Sequence, residues 1–295
     1  MQVSRFCYTA RMIKASRLAV FDVDGTIADK GTIPPSVIEG IKHLRSVGYM
    51  STVSTGRGYI RLKEMLGDAF KDIVSEEALL IIEHGTKIVD FNGKVVFGEF
   101  FSERELDHVI DFTRANIDLY KLVWFNPVDL NQKVQVWCIN QEDIAEEIQK
   151  RGHYADVFYC SIGEFEDILL KQRVTNVTLK LKDYVKVENL KLSFTRTDTN
   201  VIFQDGNMEF VKNNINKGLA VEYVANQLAI EPENILVAGN AINDIEMLDI
   251  DSGLTLLVSI EPIRSEILSY LSNPKKIVNV DSPHELGEYL KAKIT

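Results

Sequence analysis

The period of apolar and polar positions changes along the chain. Leu18-Ala19-Val20-Phe21 is a short, wholly apolar run that breaks at once into Asp22-Val23-Asp24-Gly25-Thr26. Such a run, ended by an acidic turn with a glycine, predicts a buried strand. Pro34 and Pro35 open a segment with Val37, Ile38, Ile41, Leu44 and Val47 on one helical face, and Gly48 closes it. A second strand over Tyr49 to Val53 ends in Ser54-Thr55-Gly56-Arg57-Gly58. Strand, helix, strand, with polar residues at each strand's end, predicts a parallel sheet that carries its functional groups at the carboxyl ends of its strands.

The last third repeats this grammar. Lys217 to Leu228 reads as a helix, Ile235 to Ala238 as a buried strand running into Gly239-Asn240, and Ile242 to Leu248 as a helix. Strand Leu254 to Val258, helix Ile263 to Leu271, strand Ile277 to Val280 and a helix from Pro283 to about Lys291 follow. The middle differs. Lys87 to Phe91 and Lys94 to Phe97 flank Asn92-Gly93, a strong hairpin signal. Gln135 to Ile139 and Val177 to Leu181 read as further strands, with helices over Arg104 to Thr113 and Glu142 to Lys150 among them. The expected organisation is α/β: a doubly wound, Rossmann-like parallel-sheet core with an inserted α+β domain. Its segments are an N-terminal extension over 1–16, core over 17–85, the insertion over 86–196 and core again over 197–295.

Composition narrows the function classes. Hydrophobic residues make up 45% of the 295, enough for a real core, and no apolar run approaches the roughly 18 residues of a membrane span. With 33 Lys plus Arg against 43 Asp plus Glu, the net charge of -10 disfavours nucleic acid or an anionic membrane as main partner. Cys7, Cys138 and Cys160 are odd in number and far apart, so a disulfide framework or zinc site is not expected and a cytoplasmic setting is. The basic stretch Met1 to Arg17 lacks the apolar middle of a secretory signal and reads as an extension.

The chemistry sits at the strand ends. Phosphoryl transfer needs a nucleophile, charge neutralisation and a proton donor for the leaving oxygen. Asp22 and Asp24, one residue apart at a strand end with Gly25 to bend the chain, can both reach one phosphate. One carboxylate can attack phosphorus while the other serves as acid and base.

These motifs resemble those of the haloacid dehalogenase superfamily, and of its Cof-like branch, subfamily IIB, with a large α+β cap. The likeness spans roughly residues 17 to 295. It implies Asp22 as nucleophile, Asp24 as acid/base, and Thr55 of Thr55-Gly56-Arg57 as the hydroxyl that binds phosphoryl oxygens. It implies Lys217 of Asn216-Lys217-Gly218 as the lysine that steadies phosphate and nucleophile. The fourth motif is Gly239-Asn240-Ala241-Ile242-Asn243-Asp244, where the family usually reads GDxxND. A Mg2+ ion is implied, with Asp22, Asp24, Asp244 and Asn240 around it, and a small phosphorylated metabolite is the implied substrate. Asn240 is the departure: its amide oxygen removes one negative charge from the metal site, and weaker magnesium affinity is expected.

Other positions carry two readings each. Arg57 adds charge to the site or forms a surface salt bridge, and Asn243 joins the site or caps a helix. His84 is expected in a structural turn. Asn213, Asn214 and Asn216 line the phosphate pocket or form its loop. Trp124, Phe125, Trp137 and Arg173 touch a leaving group or pack within the insertion. Two functional alternatives stand beside a phosphatase: a sugar phosphomutase, and a weakened, ligand-binding relative because of Asn240. Oligomeric state is not legible.

Overall fold

The computed structural model describes residues 16–126, 134–153, 155–183, 185, 190, 199–204, 206–213 and 215–295. The basic extension with Cys7, and Asn214, lie outside these residues. The chain divides into two compact units, Met1–Phe97 with Asn216–Thr295, and Gly98–Ile215.

The first unit is built on a parallel sheet. Numbered in chain order, its strands are β1 (Arg17–Phe21), β2 (Tyr49–Val53), β12 (Ile235–Gly239), β13 (Leu254–Val258) and β14 (Ile277–Val280), arranged β14-β13-β12-β1-β2. All neighbouring pairs are parallel. From β1 the chain steps one way to β2 and, much later, the other way through β12 to β14. The crevice beside β1 and β12 is therefore the topological switch point, where open α/β sheets place their ligands.

Alternate residues of β1 and β12 face opposite sides. Leu18, Val20, Ile235 and Val237 join one core with Ala220, Val221 and Val224 of α7 (Lys217–Gln227) and Met247 of α8 (Ile245–Leu248). Elsewhere in the unit α1 (Pro35–Ser46) packs on α10 (Pro283–Lys293). That contact needs glycine on both helices, because a Cβ at Gly40 would lie 2.7 Å from the Gly287 carbonyl oxygen. Three short strands, β3 (Leu80–Ile82), β4 (Lys87–Val89) and β5 (Val95–Gly98), form a small second sheet. The expected hairpin at Asn92-Gly93 joins its last two, with Asp90 Oδ1 accepting from the Asn92 and Lys94 amides.

The second unit has a six-stranded sheet, order β10-β11-β9-β6-β7-β8. Its strands are β6 (Tyr120–Phe125), β7 (Val134–Cys138), β8 (Ala155–Tyr159), β9 (Asn176–Leu181), β10 (Thr199–Gln204) and β11 (Asn207–Lys212). Pairing is antiparallel except between β7 and β8. Helices α4 (Glu103–Ala115) and α6 (Ile162–Leu169) each begin with a capping box, Ser102 with Glu105 and Ser161 with Glu164. Between them α5 (Ile144–Arg151) follows a short 3-10 turn. Phe125, Trp137 and Phe165 are core residues here, Trp124 lies under the Arg151 guanidinium, and Arg173 stacks on Phe100.

The unit boundaries, 97/98 and 215/216, fall later than the 86 and 196 expected from sequence. β11 extends the second unit's sheet by pairing with β9, and β10 by pairing with β11, burying Met208 and Phe210 against Val177 and Leu179. Ile88, in turn, belongs to the first unit's core. Strand pairing and burial decide both ends, and neither is visible in a local apolar pattern.

Candidate active site

Asp22 stands one residue beyond β1, its amide donating to the Ala238 carbonyl of β12 at 2.8 Å. The chain then turns sharply: the amides of Thr26, Ile27 and Ala28 all converge on the Val23 carbonyl. Gly25 sits at φ +85°, a left-handed conformation that costs other residues, and a Cβ there would meet the Asn240 side chain at 2.1 Å. The turn thus brings Asp22, the Asp24 backbone and Asn240 into one small space.

Lys217 enters from the first position of α7, whose N-cap Asn216 accepts from the Leu219 amide at 2.8 Å. Its Nζ donates to Asp22 Oδ1 and to Asp244 Oδ1, both at 2.6 Å. Side-chain exposure is 1% for Lys217, 7% for Asp22 and 0% for Asp244, so this is a buried triad of one cation and two anions. Burial and the Asp244 charge push the Asp22 carboxyl up to about 6, against the lowering pull of Lys217. Burial pulls Lys217 down, but the two carboxylates outweigh it and raise it above the ordinary lysine range. Both Asp244 oxygens are engaged: Oδ1 holds Lys217, while Oδ2 accepts from the Asn240 and Ala241 amides at 2.9 and 3.1 Å. Asn243 lies in the same 3-10 turn, Ile242–Asp244.

Thr26 Oγ1 lies 3.1 Å from Asp22 Oδ2. One end of the Asn240 carboxamide lies 3.3 Å from Asp22 Oδ2 and 3.0 Å from the Asp24 carbonyl oxygen. A cation held at 2.0–2.1 Å sets adjacent ligands of an octahedral shell about 2.9 Å apart, so this spacing suits Mg2+. The set has one carboxylate, one peptide carbonyl and one carboxamide. That composition agrees with the finding that, among the described residues, no cluster of three or more His, Cys, Asp or Glu is arranged for a metal.

Asp24's carboxylate is turned elsewhere. Arg57 grips it with Nε and Nη2, each at 2.7 Å, in a bidentate pair that is partly exposed. Thr55 lies just past β2, with its Oγ1 accepting from the Arg57 amide at 3.1 Å. Beneath this segment the amides of Glu83 and His84 donate to the Arg57 and Thr55 carbonyls at 3.2 and 3.0 Å. His84 packs its ring against Gly56. Glu83 and His84 adopt φ of +51° and +57°, unusual for residues with side chains. The structural turn expected at His84 is present, but sequence reading missed the pair beside it. Glu83 and Lys87 form an ion pair at 3.1 Å with both side chains fully buried. An i, i+4 Glu–Lys spacing reads as a solvated helix pair, so only the positions' flanking apolar residues hinted otherwise.

Comparison with known proteins follows this geometry. Residues 19–253 match the family model described as haloacid dehalogenase-like hydrolase. A protein of Buchnera aphidicola subsp. Baizongia pistaciae with the provisional name phosphatase is 23% identical over 233 residues, covering 77% of this chain and 81% of its own. A HAD subclass IIB sugar phosphatase superposes with TM-score 0.69 at 17% identity, covering 94% of this chain and 97% of the other. A HAD-superfamily phosphatase from Bacteroides thetaiotaomicron gives 0.68 at 16%, covering 95% of each chain. A haloacid dehalogenase-like hydrolase from B. subtilis gives 0.70 at 16%, covering 94% and 100%. At such identities the structural likenesses speak for the fold, and the family model spans most of the chain. The chain belongs to the haloacid dehalogenase-like hydrolases.

Proposed function

We propose that this chain is a magnesium-dependent phosphatase that hydrolyses a small phosphorylated metabolite, foremost a sugar phosphate, through an aspartyl-phosphate on Asp22. One observation carries the reading. Asp22 is a buried carboxylate at the switch point of the sheet, held by Lys217 on one oxygen and beside Thr26 and Asn240 on the other. With its carboxyl at about 6, Asp22 is largely anionic at neutral pH, as a nucleophile must be.

The placement of the side chains supports the following steps. Asp22 attacks phosphorus and the ester oxygen departs. Lys217, always charged, offsets the negative charge that opposes approach of a phosphate to two carboxylates. Thr55 Oγ1 already accepts from the Arg57 amide, which leaves its proton for a phosphoryl oxygen. Asp24 gives a proton to the leaving oxygen, and for this its carboxyl must leave the Arg57 fork. It then takes a proton from the water that cleaves the aspartyl-phosphate. Asp22 Oδ2, the Asp24 carbonyl and the Asn240 amide oxygen would hold the Mg2+, which when bound neutralises phosphoryl charge. Asp244 holds Lys217 and the Asn240 backbone in place and adds its negative charge beside the ion.

The test is phosphate release from an aryl phosphate and a panel of sugar and metabolite phosphates, with and without magnesium. Release should need magnesium and fall at least about a thousandfold in Asp22→Asn. An Asp22→Asn protein that retains activity would overturn the reading. A phosphorylated isomer without free phosphate would make the chain a phosphomutase, and ligand binding without turnover would make it a binding protein.

A further inference from the structure

Asn240 stands where the family pattern has a carboxylate, and its neighbours distinguish the two ends of its amide. The inward end lies 3.0 Å from the Asp24 carbonyl oxygen, 3.3 Å from Asp22 Oδ2 and 3.2 Å from Thr26 Oγ1. The carbonyl and the ionised carboxylate only accept. An amide oxygen at that place faces both with no hydrogen between, and its one gain is the Thr26 hydroxyl at 3.2 Å. An NH2 group there donates to both. The outward end rests over Gly25, where the missing side chain leaves it room. Oxygen and NH2 are close in size, so a half-turn of the amide exchanges them without repacking.

We propose that Asn240 is a two-position switch for the metal: NH2 inward in the metal-free protein, oxygen inward when Mg2+ is bound. This rests on the magnesium reading above and deepens it. In the first position the amide stands in for the cation, tying Asp22 Oδ2 to the Asp24 carbonyl through its own hydrogens. In the second the same side chain becomes a ligand. An aspartate at this position has no such exchange: without metal it adds a third oxygen-rich group to the same space. Magnesium binding must therefore break the inward hydrogen bonds here, whereas Asn240→Asp has none to break.

The experiment is nuclear magnetic resonance of protein labelled with 15N at asparagine, in EDTA and at saturating Mg2+, beside calorimetry of Mg2+ binding. The Asn240 side-chain signals are those missing from Asn240→Asp, or from Asn240→Ser if the aspartate variant does not fold. Their protons should exchange slowly in EDTA, then shift and exchange faster with Mg2+. Asn240→Asp should bind Mg2+ at least about 10-fold more tightly, through its added charge together with the two hydrogen bonds it does not have to break. Unprotected protons in EDTA, or signals unmoved by Mg2+ that calorimetry shows to bind, would overturn the switch and leave the phosphatase reading standing. Absence of any Mg2+ binding would overturn both.

Discussion

Replacing Lys217 by methionine keeps the length of the side chain and removes the one cation of the buried triad. At 2.6 Å and an effective dielectric of about 20, each Lys217–carboxylate contact is worth roughly 6 kcal/mol of attraction. Much of that is offset by the cost of taking the ammonium from water, and breaking a buried pair nets about 3–5 kcal/mol of lost stability. The loss should depend on pH. Asp22 is already raised from 3.8 to about 6, and Lys217 is among the influences that hold it down. A carboxyl raised on folding binds extra protons in the native state, so stability falls as pH climbs from its unfolded value through its folded one. Without Lys217 that window widens upward, so the deficit should be larger at pH 8 than at pH 5. Urea unfolding in EDTA at both values measures it, followed by circular dichroism because Trp124 and Trp137 both lie in the second unit. Adding Asp244→Asn should recover part of the loss by removing the second carboxylate charge. A deficit below about 1 kcal/mol at pH 8, or the same at pH 5, would refute the electrostatic account of the triad.

Arg57→Lys keeps the charge but not the fork on Asp24. The pair is partly exposed, so stability should change by less than about 1 kcal/mol, while kcat falls about 10- to 100-fold through a misplaced acid; equal losses in both would point to a structural role. Burial pushes the Cys138 and Cys160 thiols up to about 11, so at pH 8 each should be alkylated at least about 100-fold more slowly than a free thiol, and fast labelling of either in native protein, read by mass spectrometry, would contradict this. A Cβ at Gly287 would lie 2.3 Å from the Ser36 backbone, so Gly287→Ala should cost about 1–3 kcal/mol in thermal unfolding; Gly163→Ala, with nothing within 4 Å, should gain about 0.4–1 kcal/mol.

Much of the site was legible because its residues follow apolar strands. Asp22 comes directly after a run that can only be buried, and Thr55 shortly after a second strand-like run, so their backbone positions follow from strand order alone. The meeting of Asp22 with Lys217 and Asp244 was carried by resemblance, since no local pattern says which distant helix starts beside which strand. Lys217 itself reads as a solvated lysine; its burial depends on two carboxylates that sequence cannot bring near it. Arg57 had two open readings, charge in the site or a surface salt bridge, and its bidentate, partly exposed grip on Asp24 combines them. Glu83 with Lys87 was missed because only the apolar residues around the pair hint at its burial, and the left-handed backbone at Glu83 and His84 because nothing in residue type marks it. The late boundary near 215 was missed for a similar reason, as residues 199–212 are strand-like in either unit.

The sheet order has a consequence for the nascent chain. β1 can zip onto β2 soon after both leave the ribosome, but its other edge waits for β12. Asp22 and Lys217 are 195 positions apart, which at ordinary synthesis rates of 5–20 residues per second is a delay of about 10–40 s. Through that interval β1 has one open edge and the Asp22 carboxylate lacks its counter-charge. The second unit, all of whose strands are made before β12, is free to fold first. The site is thus completed only after β12 is made, and the half-made sheet, with its unpaired apolar edge, is the species on which a chaperone would act.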